Sequence, residues 1–305
     1  ILPEGMSQER FDWLKKVAGE VIATPGSESN VKEIFDKTWE LKRTRADVVV
    51  FNQFEEFGNY LWHHEVTGSA IEEAFALTAK PGDRFFGVAF TSGSAGTLAA
   101  GDYMKKIFPA SKIAVGEALQ CPTLLLNGFG AHRIEGIGDK HVPWIHNVRN
   151  TDMVIDVDDA DSMALIRLFN EPAGREYLGS LKVPRELIDQ LPLMGISSVA
   201  NVIMAIKMAK YYELTSKDVI FTVFTDSMEL YGSRLREMEE EFGEYGSVDA
   251  TVDYHRSILG LGTDWMRELT YYDRKAIHNL KYYTWIEQQG RDLEELNAQW
   301  YEADE

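Results

Sequence analysis

The sequence has little cysteine, no long apolar run and no recognisable export signal. A single cysteine, Cys121, in 305 residues excludes a disulfide framework and a zinc site built from several cysteines. No uninterrupted apolar stretch approaches the roughly 18 residues of a membrane helix, since even residues 199–209 contain Asn201 and Lys207. The first residues lack the basic and apolar segments of a secretory signal. We therefore expect a protein of the reducing cytoplasm that does not enter a membrane.

Basic residues are scarce relative to acidic ones. The chain has 31 Lys and Arg residues against 49 Asp and Glu residues, which is a formal net charge of −18 at pH 7. A nucleic-acid groove needs clustered Lys and Arg side chains, so this balance argues against a nucleic-acid partner. With 45% hydrophobic and 26% charged residues, the chain can nevertheless bury a core.

Short β-branched or aromatic runs alternate with helical patterns along the chain. Apolar runs predict strands at residues 21–24, 48–51, 85–90, 113–116, 153–157 and 219–224. Amphipathic or buried helices are predicted at residues 6–18, 29–43, 65–79, 97–107, 159–170, 197–212 and 228–242. Near-continuous apolar strands are typical of a sheet that is covered on both faces. The alternation predicts an α/β fold with doubly wound parallel sheets.

A turn rich in glycine and hydroxyl groups follows the strand predicted at residues 85–90. Residues 91–98 are Thr-Ser-Gly-Ser-Ala-Gly-Thr-Leu, and a helix is predicted to start at about Thr97. Several backbone N–H groups and a helix N-terminus then point at one position, which makes an anion site with phosphate as its natural ligand. The turn has neither a Walker loop, nor a dinucleotide fingerprint, nor the nucleophile elbow of hydrolases. By itself, an ordinary tight turn explains the pattern about as well.

Several further blocks follow one another in a characteristic order. They are residues 3–10 (PEGMSQER), 23–26 (ATPG), 52–54 (NQF), 64–68 (HEVTG), 93–97 (GSAGT), 132–138 (HRIEGIG), 142–143 (VP), 195–198 (GISS) and 226–227 (DS). In this order the blocks resemble the fold type II pyridoxal-phosphate enzymes, the group of tryptophan synthase β and cysteine synthase. The resemblance extends over roughly residues 1–235.

The resemblance implies roles for individual residues. The phosphate of pyridoxal 5′-phosphate would be held by the loop Gly93, Ser94, Ala95, Gly96 and Thr97. Gly195 would border the pyridine ring, Ser227 would hydrogen-bond the ring nitrogen, and Gln53 would lie near the substrate carboxylate. A hydroxyl group at the nitrogen leaves the ring largely unprotonated, whereas a carboxylate would stabilise a pyridinium. Because Asp226 adjoins Ser227, which of the two faces the nitrogen stays open.

The sequence also departs from the family. Ser94 and Ala95 stand where the family usually has Thr and Gly, and Val199 replaces the glycine after Ser198. The family's Schiff-base lysine and its asparagine-containing substrate loop lie upstream of the block that starts this chain, and no lysine here has the family's Ser-x-Lys context. Since the chain also starts at Ile1 without a methionine, we expect an absent N-terminal region and no catalytic residue within these 305 residues.

Three segments are predicted. Residues 1–58 would form the C-terminal part of an incomplete smaller domain, residues 59–252 the large cofactor-binding α/β domain, and residues 253–305 an aromatic-rich helical extension. The extension has nine Trp or Tyr residues from Tyr254 onward, and it would pack on its own domain or, alternatively, on a partner. It is unlike a minimal cysteine synthase and resembles a longer branch, such as the pyridoxal-binding β subunit of 2-amino-4-oxopentanoate thiolase.

The resemblance implies a pyridoxal-phosphate-dependent lyase or transferase acting on a small amino acid by β-elimination, β-replacement or thiolytic cleavage. It also implies a homodimer, with the lysine supplied by the missing N-terminal polypeptide or by a second subunit. The alternatives are a non-catalytic remnant or regulatory subunit of the same fold, and a flavodoxin-like domain that binds a nucleotide. No metal site is predicted, because the histidines lack ligand spacing. His141 is a candidate for a substrate contact.

Overall fold

The central feature of the fold is a five-stranded sheet, seen in a computed structural model that describes residues 1–27 and 30–302. The strands, in chain order, are β1 (Leu2–Pro3), β2 (Ala23–Thr24), β3 (Arg84–Thr91), β4 (Lys112–Ala118), β5 (Met153–Val157), β6 (Asp218–Phe221) and β7 (Met266–Glu268). The sheet has the order β6-β3-β4-β5-β7, in which the first four strands run parallel and β7 runs antiparallel to β5. β1 and β2 form a separate parallel pair.

Fourteen α-helices surround the strands in the described part of the chain. They are α1 (Gln8–Val17), α2 (Val31–Thr44), α3 (Phe57–Trp62), α4 (Gly68–Thr78), α5 (Leu98–Ile107), α6 (Thr123–Leu126), α7 (Asp159–Asn170), α8 (Pro172–Ser180), α9 (Arg185–Gln190), α10 (Ile196–Tyr211), α11 (Gly232–Phe242), α12 (Ser247–Tyr254), α13 (Tyr271–Lys281) and α14 (Leu293–Tyr301). Turns of π-helix occur at His63–Thr67, His255–Leu259 and Tyr282–Gln288. Among these helices, none combines the length and apolarity that crossing a membrane requires.

The sheet separates two hydrophobic cores, because successive side chains of a strand point to opposite faces. Val88 and Phe90 of β3 lie in one core with side chains of α4, α5 and α13. Ala89 between them lies in the other core, with side chains of α7 and α10. Both faces of the sheet are therefore covered by helices. This confirms the predicted α/β class with a doubly wound parallel sheet.

Two predicted strands differ from the structure. Residues 48–51 form no strand, and Val49 and Phe51 are 77% and 87% exposed. An apolar run becomes a strand only where a neighbour completes its hydrogen-bond ladder, and no described strand lies beside these residues. The strand predicted at residues 219–224 ends at Phe221, because β3 and β6 pair no further than Val88 and Phe221.

The aromatic-rich C-terminal segment packs against the rest of the chain. β7 extends the main sheet, with Ile155 paired to Met266. Trp285 is fully buried in a third core, where its ring contacts those of Phe35 and Trp144. The segment thus supplies a strand and a core side chain as well as helices. The predicted boundary near residue 253 stays a prediction.

Candidate functional site

A cavity of about 720 Å³ lies where β3 gives way to the loop before α5. Ligand sites of α/β folds commonly lie in such a crevice at the carboxyl ends of parallel strands. Its walls come from the loop at residues 93–97, residues 48–54 with α2, the loop at residues 136–139, the start of α10 and residues 223–225. The site is therefore assembled from segments that are far apart in the sequence.

The loop at residues 93–97 presents free backbone donors to this cavity. Within the described part of the chain, the N–H groups of these five residues donate to no other group. Ala95 has a φ of 66°, in the left-handed region, and α5 begins directly after Thr97. Successive free N–H groups at a helix N-terminus form a concave anion site. All five residues predicted to hold a phosphate line the cavity.

Both glycines of the loop lie against close neighbours. A Cβ atom on Gly96 would lie 2.5 Å from Asn59 Oδ1, and one on Gly93 would lie 2.9 Å from the Gly136 carbonyl oxygen. Asn59 also donates from Nδ2 to Ser94 Oγ (3.1 Å) and to the carbonyl oxygen of Gln53 (2.9 Å). This one side chain therefore holds the loop next to the segment that carries the predicted substrate contact.

Gln53 lies on the cavity wall, as do the neighbouring residues of segment 48–54. Its backbone carbonyl is fixed by Asn59. Gln53 and the loop at residues 93–97 therefore line the same cavity, although residues 48–51 form no strand.

The segment at residues 225–227 differs from its predicted arrangement. Thr225 lines the cavity together with Ser197, and their hydroxyl oxygens are 3.3 Å apart. Ser227 and Gly195 do not belong to the cavity lining. Ser197, from the block at residues 195–198, and Thr225, which belongs to none of the sequence blocks, therefore contribute hydroxyl groups to the cavity wall.

The carboxylate of Asp226 is held by α1 and Tyr231. Its Oδ2 accepts a hydrogen bond from the Tyr231 hydroxyl (2.6 Å) and another from Arg10 Nη2 (3.3 Å). Burial, followed by the charge of Asp226, raises the pKa of Tyr231, so this hydroxyl remains a donor. Asp226 does not line the cavity either. These contacts engage Oδ2, whereas within the described residues Oδ1 is buried without a hydrogen-bond partner, and a Cβ atom on Gly195 would lie 1.9 Å from it.

The histidines have different surroundings. His63 lines the cavity, its Nδ1 lies 2.8 Å from Thr67 Oγ1, and burial lowers its pKa. His141 lies instead among the rings of Phe35, Phe54 and Trp285, and burial lowers its pKa to about 3. His141 therefore packs in an aromatic cluster, and the prediction that it contacts substrate is wrong.

Few ionisable side chains line the cavity. Arg10 and Asp139 are its charged lining residues apart from His63, and none of the lining residues in the described ranges is a lysine. The arrangement can bind an anionic group and orient a small polar ligand.

The chain is similar in sequence to cysteine synthases. No protein-family model matches the chain. The chain is 32% identical over 232 residues to a cysteine synthase of Staphylococcus aureus strain Mu50, a match that covers 75% of this chain and 66% of the relative. It is 28% identical over 232 residues to a probable cysteine synthase of Bacillus subtilis, covering 76% of this chain and 67% of that one. The chain thus spans just under two thirds of the length of the Staphylococcus relative.

Solved structures share the fold. A hydrogen sulfide-producing enzyme from Fusobacterium nucleatum is 26% identical, with a TM-score of 0.62 over 83% of this chain and 68% of that chain. The cysteine synthase of Entamoeba histolytica is 22% identical, with a TM-score of 0.61 over 83% of this chain and 67% of that chain.

Proposed function

Because the chain belongs to the fold type II pyridoxal-phosphate enzymes, the family of its cysteine synthase relatives, we propose that it acts in β-replacement or β-elimination on a small amino acid. The observation that carries the proposal is the cradle of free N–H groups at residues 93–97, which opens into the 720 Å³ cavity. Pyridoxal 5′-phosphate, when bound, supplies an electron sink for bonds at the Cα atom of an amino acid.

The residues present fit the phosphate of this cofactor. Five free amides and the start of α5 supply donors for an anion, and the hydroxyl groups of Ser94 and Thr97 add two more. A Cβ atom on Gly93 or Gly96 would press against Gly136 or Asn59, so glycine at both positions suits this loop conformation. We therefore propose Gly93, Ser94, Ala95, Gly96 and Thr97 as the phosphate-binding residues.

For the ring nitrogen we propose the hydroxyl of Ser227, with Gly195 bordering the ring. The engagement of Asp226 Oδ2 by Arg10 and Tyr231 supports the Ser227 hydroxyl over this carboxylate oxygen. A neutral hydroxyl leaves the nitrogen largely unprotonated, which suits chemistry at Cβ. Thr225 is the competing candidate for the ring nitrogen, because it lines the cavity and Ser227 does not. If Ser227→Ala binds the cofactor as wild type does and Thr225→Val does not, Thr225 holds the nitrogen.

Gln53 is the proposed contact for the substrate carboxylate. It lines the cavity, and its backbone is tied through Asn59 to Ser94 of the phosphate loop. A substrate held here would lie beside the anchored cofactor, which supports Gln53 in an orienting role. The aromatic segment after residue 253 favours a longer branch of the family, so thiolytic cleavage is a second candidate reaction.

We propose that the Schiff-base lysine comes from polypeptide outside these 305 residues, in a homodimer or with a second subunit. The absence of lysine among the described lining residues supports this, as does the partial coverage of the relatives. In the intact protein, borohydride would then fix the cofactor to a lysine outside this sequence. Intact protein that binds the cofactor, takes no borohydride label and turns over no amino acid would support the non-catalytic alternative.

The phosphate cradle has a direct test in a pair of glycine variants. In Gly96→Ala the new Cβ atom displaces Asn59, so we expect the affinity for inorganic phosphate and pyridoxal 5′-phosphate to fall about tenfold or more. Gly58→Ala is the matched control, because a Cβ atom there has nothing within 4 Å. Calorimetric titration measures both affinities. Equal affinities in the two variants would contradict the assignment of the loop.

A further inference from the structure

β3 and β6 separate at the cavity, although they are neighbours in the sheet. Their ladder ends at the pair Val88 and Phe221, whereas β3 stays paired with β4 up to Thr91 and Gly116. Past this point β3 leads to the phosphate loop, and β6 leads to residues 222–227. The two walls that a cofactor would touch therefore begin at a fork in the sheet.

Asn201 of α10 fills this fork. Its Oδ1 accepts a hydrogen bond from the Thr91 N–H (2.7 Å), and its Nδ2 donates to the carbonyl oxygen of Val223 (2.8 Å). Both are backbone groups that a continued ladder would have paired. Asn201 is only 3% exposed, and it lines the cavity together with Thr91 and Val223.

The two hydrogen bonds of Asn201 fix the spacing between Thr91 and Val223. Each arm of the amide is short and planar, so the distance between the Thr91 N–H and the Val223 carbonyl is set by one rigid group. One residue separates Thr91 from the first residue of the phosphate loop, Gly93, and one residue separates Val223 from Thr225. We infer that Asn201 is a positioning residue that sets the separation between the phosphate loop and the segment proposed to hold the ring nitrogen, an inference that rests on the proposed function.

The inference predicts different effects on two ligands. Inorganic phosphate touches only the loop, whereas pyridoxine 5′-phosphate spans both walls and, having no aldehyde, needs no lysine. A wall displaced by about 1 Å weakens a ligand that must fit both sides far more than one that touches a single side. The ratio of the two dissociation constants therefore reports the separation of the walls.

The variants remove the bonds separately. N201D keeps an acceptor for the Thr91 N–H but places a carboxylate oxygen against the Val223 carbonyl. N201L removes both bonds. The matched control is T222V. Thr222 lies one residue past β6, its Oγ1 donates to the Ala89 carbonyl of β3 (2.7 Å), and it does not line the cavity.

The experiment is calorimetric titration of the whole 305-residue chain with both ligands. We expect N201D and N201L to lose about tenfold in affinity for pyridoxine 5′-phosphate and less than about threefold for phosphate, with no change of the ratio in T222V. At pH 5 protonation of the introduced carboxyl group in N201D supplies an O–H donor for the Val223 carbonyl. The ratio of dissociation constants of N201D should then return toward that of wild type measured at the same pH. Since N201L leaves two buried backbone groups unsatisfied and can unfold, the inference depends on N201D.

The outcomes separate the two proposals. Wild-type chain that binds neither ligand contradicts the proposed function. Suppose instead that the wild-type chain binds both ligands, and that N201D and T222V have the wild-type ratio of dissociation constants at neutral pH. This result contradicts only the positioning role of Asn201 and leaves the proposed function intact. A changed ratio of dissociation constants in N201D that does not return toward wild type at pH 5 also contradicts the positioning role, because the hydrogen bond to Val223 would then not matter.

Discussion

Ala95 combines a costly backbone conformation with a buried methyl group. Its φ of 66° lies in the left-handed region, which costs an L-residue about 1–2 kcal/mol. The methyl group is only 3% exposed and packs in the core that contains Leu98. Glycine would relieve the backbone cost but would lose the buried methyl group and add freedom to the unfolded chain.

We therefore expect Ala95→Gly to change the free energy of unfolding by less than about 1 kcal/mol. Ala95→Val should lower it by about 2 kcal/mol or more, because a β-branched residue is strongly disfavoured at positive φ. Urea denaturation measures both values. A valine variant as stable as the glycine variant would show that residue 95 does not need this conformation.

Single residues of the site were predictable where their pattern is local. Gly93 and Gly96 stand in a turn whose composition itself indicates free amides and close backbone approach. Asn201 and Thr225 had no such signal, because a polar residue in an apolar helix and a threonine in a loop are common. Their roles depend on partners more than twenty residues away in the sequence. Asn201, for example, is 110 positions from its partner Thr91.

The neighbouring strands β4 and β5 place two acidic side chains opposite each other. Glu117 and Asp156 are register partners in this parallel pair, and both are buried. The carboxylate of Glu117 accepts hydrogen bonds from the N–H groups of Leu124 and Leu125 at the start of α6. Burial raises the pKa of both acids, and the charge of Glu117 raises that of Asp156 further. The pair therefore retains a proton in the native state at pH values where the unfolded chain has lost it.

This pair predicts a pH dependence. Because the native pKa of Asp156 lies above its ordinary value of 3.8, its contribution to stability is complete below pH 3.8 and is lost as the pH rises through the native pKa. Asp156→Asn removes this loss, so the free energy of unfolding should fall less between pH 5 and pH 8 in the variant than in wild type. Urea denaturation across this range measures the difference. Parallel pH profiles would contradict a raised pKa at Asp156.

At the scale of the whole molecule, the C-terminal segment is anchored by a buried lysine. Lys281 at the end of α13 is 1% exposed and donates from Nζ to the carbonyl oxygens of Trp144 (2.8 Å) and His146 (2.8 Å) and to Gln299 Oε1 (2.7 Å). Burial lowers its pKa to about 7. The loop at residues 142–147, α13 and α14 thus share one ammonium group.

The sign of the lysine effect is opposite to that of the acids. Between about pH 7 and the ordinary pKa of 10.5, the unfolded chain binds more protons at Lys281 than the native state does, so stability from this site rises with pH. Lys281→Met removes the rise and leaves three acceptors without their donor, which should cost about 2–4 kcal/mol.

Denaturation of wild type and Lys281→Met between pH 7 and pH 9.5 measures both effects. Lys275→Met is the matched control, since Lys275 lies on the same helix but packs over the rings of Trp300 and Tyr301. We expect its pH profile to follow that of wild type. A Lys281→Met profile that also follows wild type would contradict the lowered pKa.

The sequence by itself determined the α/β class, the central strands and the glycine-rich turn after β3, because apolar runs and such a turn act through neighbours along the chain. The ordered blocks also indicated the family. The tertiary structure decided the rest. Residues 48–51 form no strand because no described strand pairs with them, and residues 222–224 leave the sheet at a fork that Asn201 bridges. Strand pairing and buried polar contacts depend on what lies alongside in space, so only the folded chain could supply their partners.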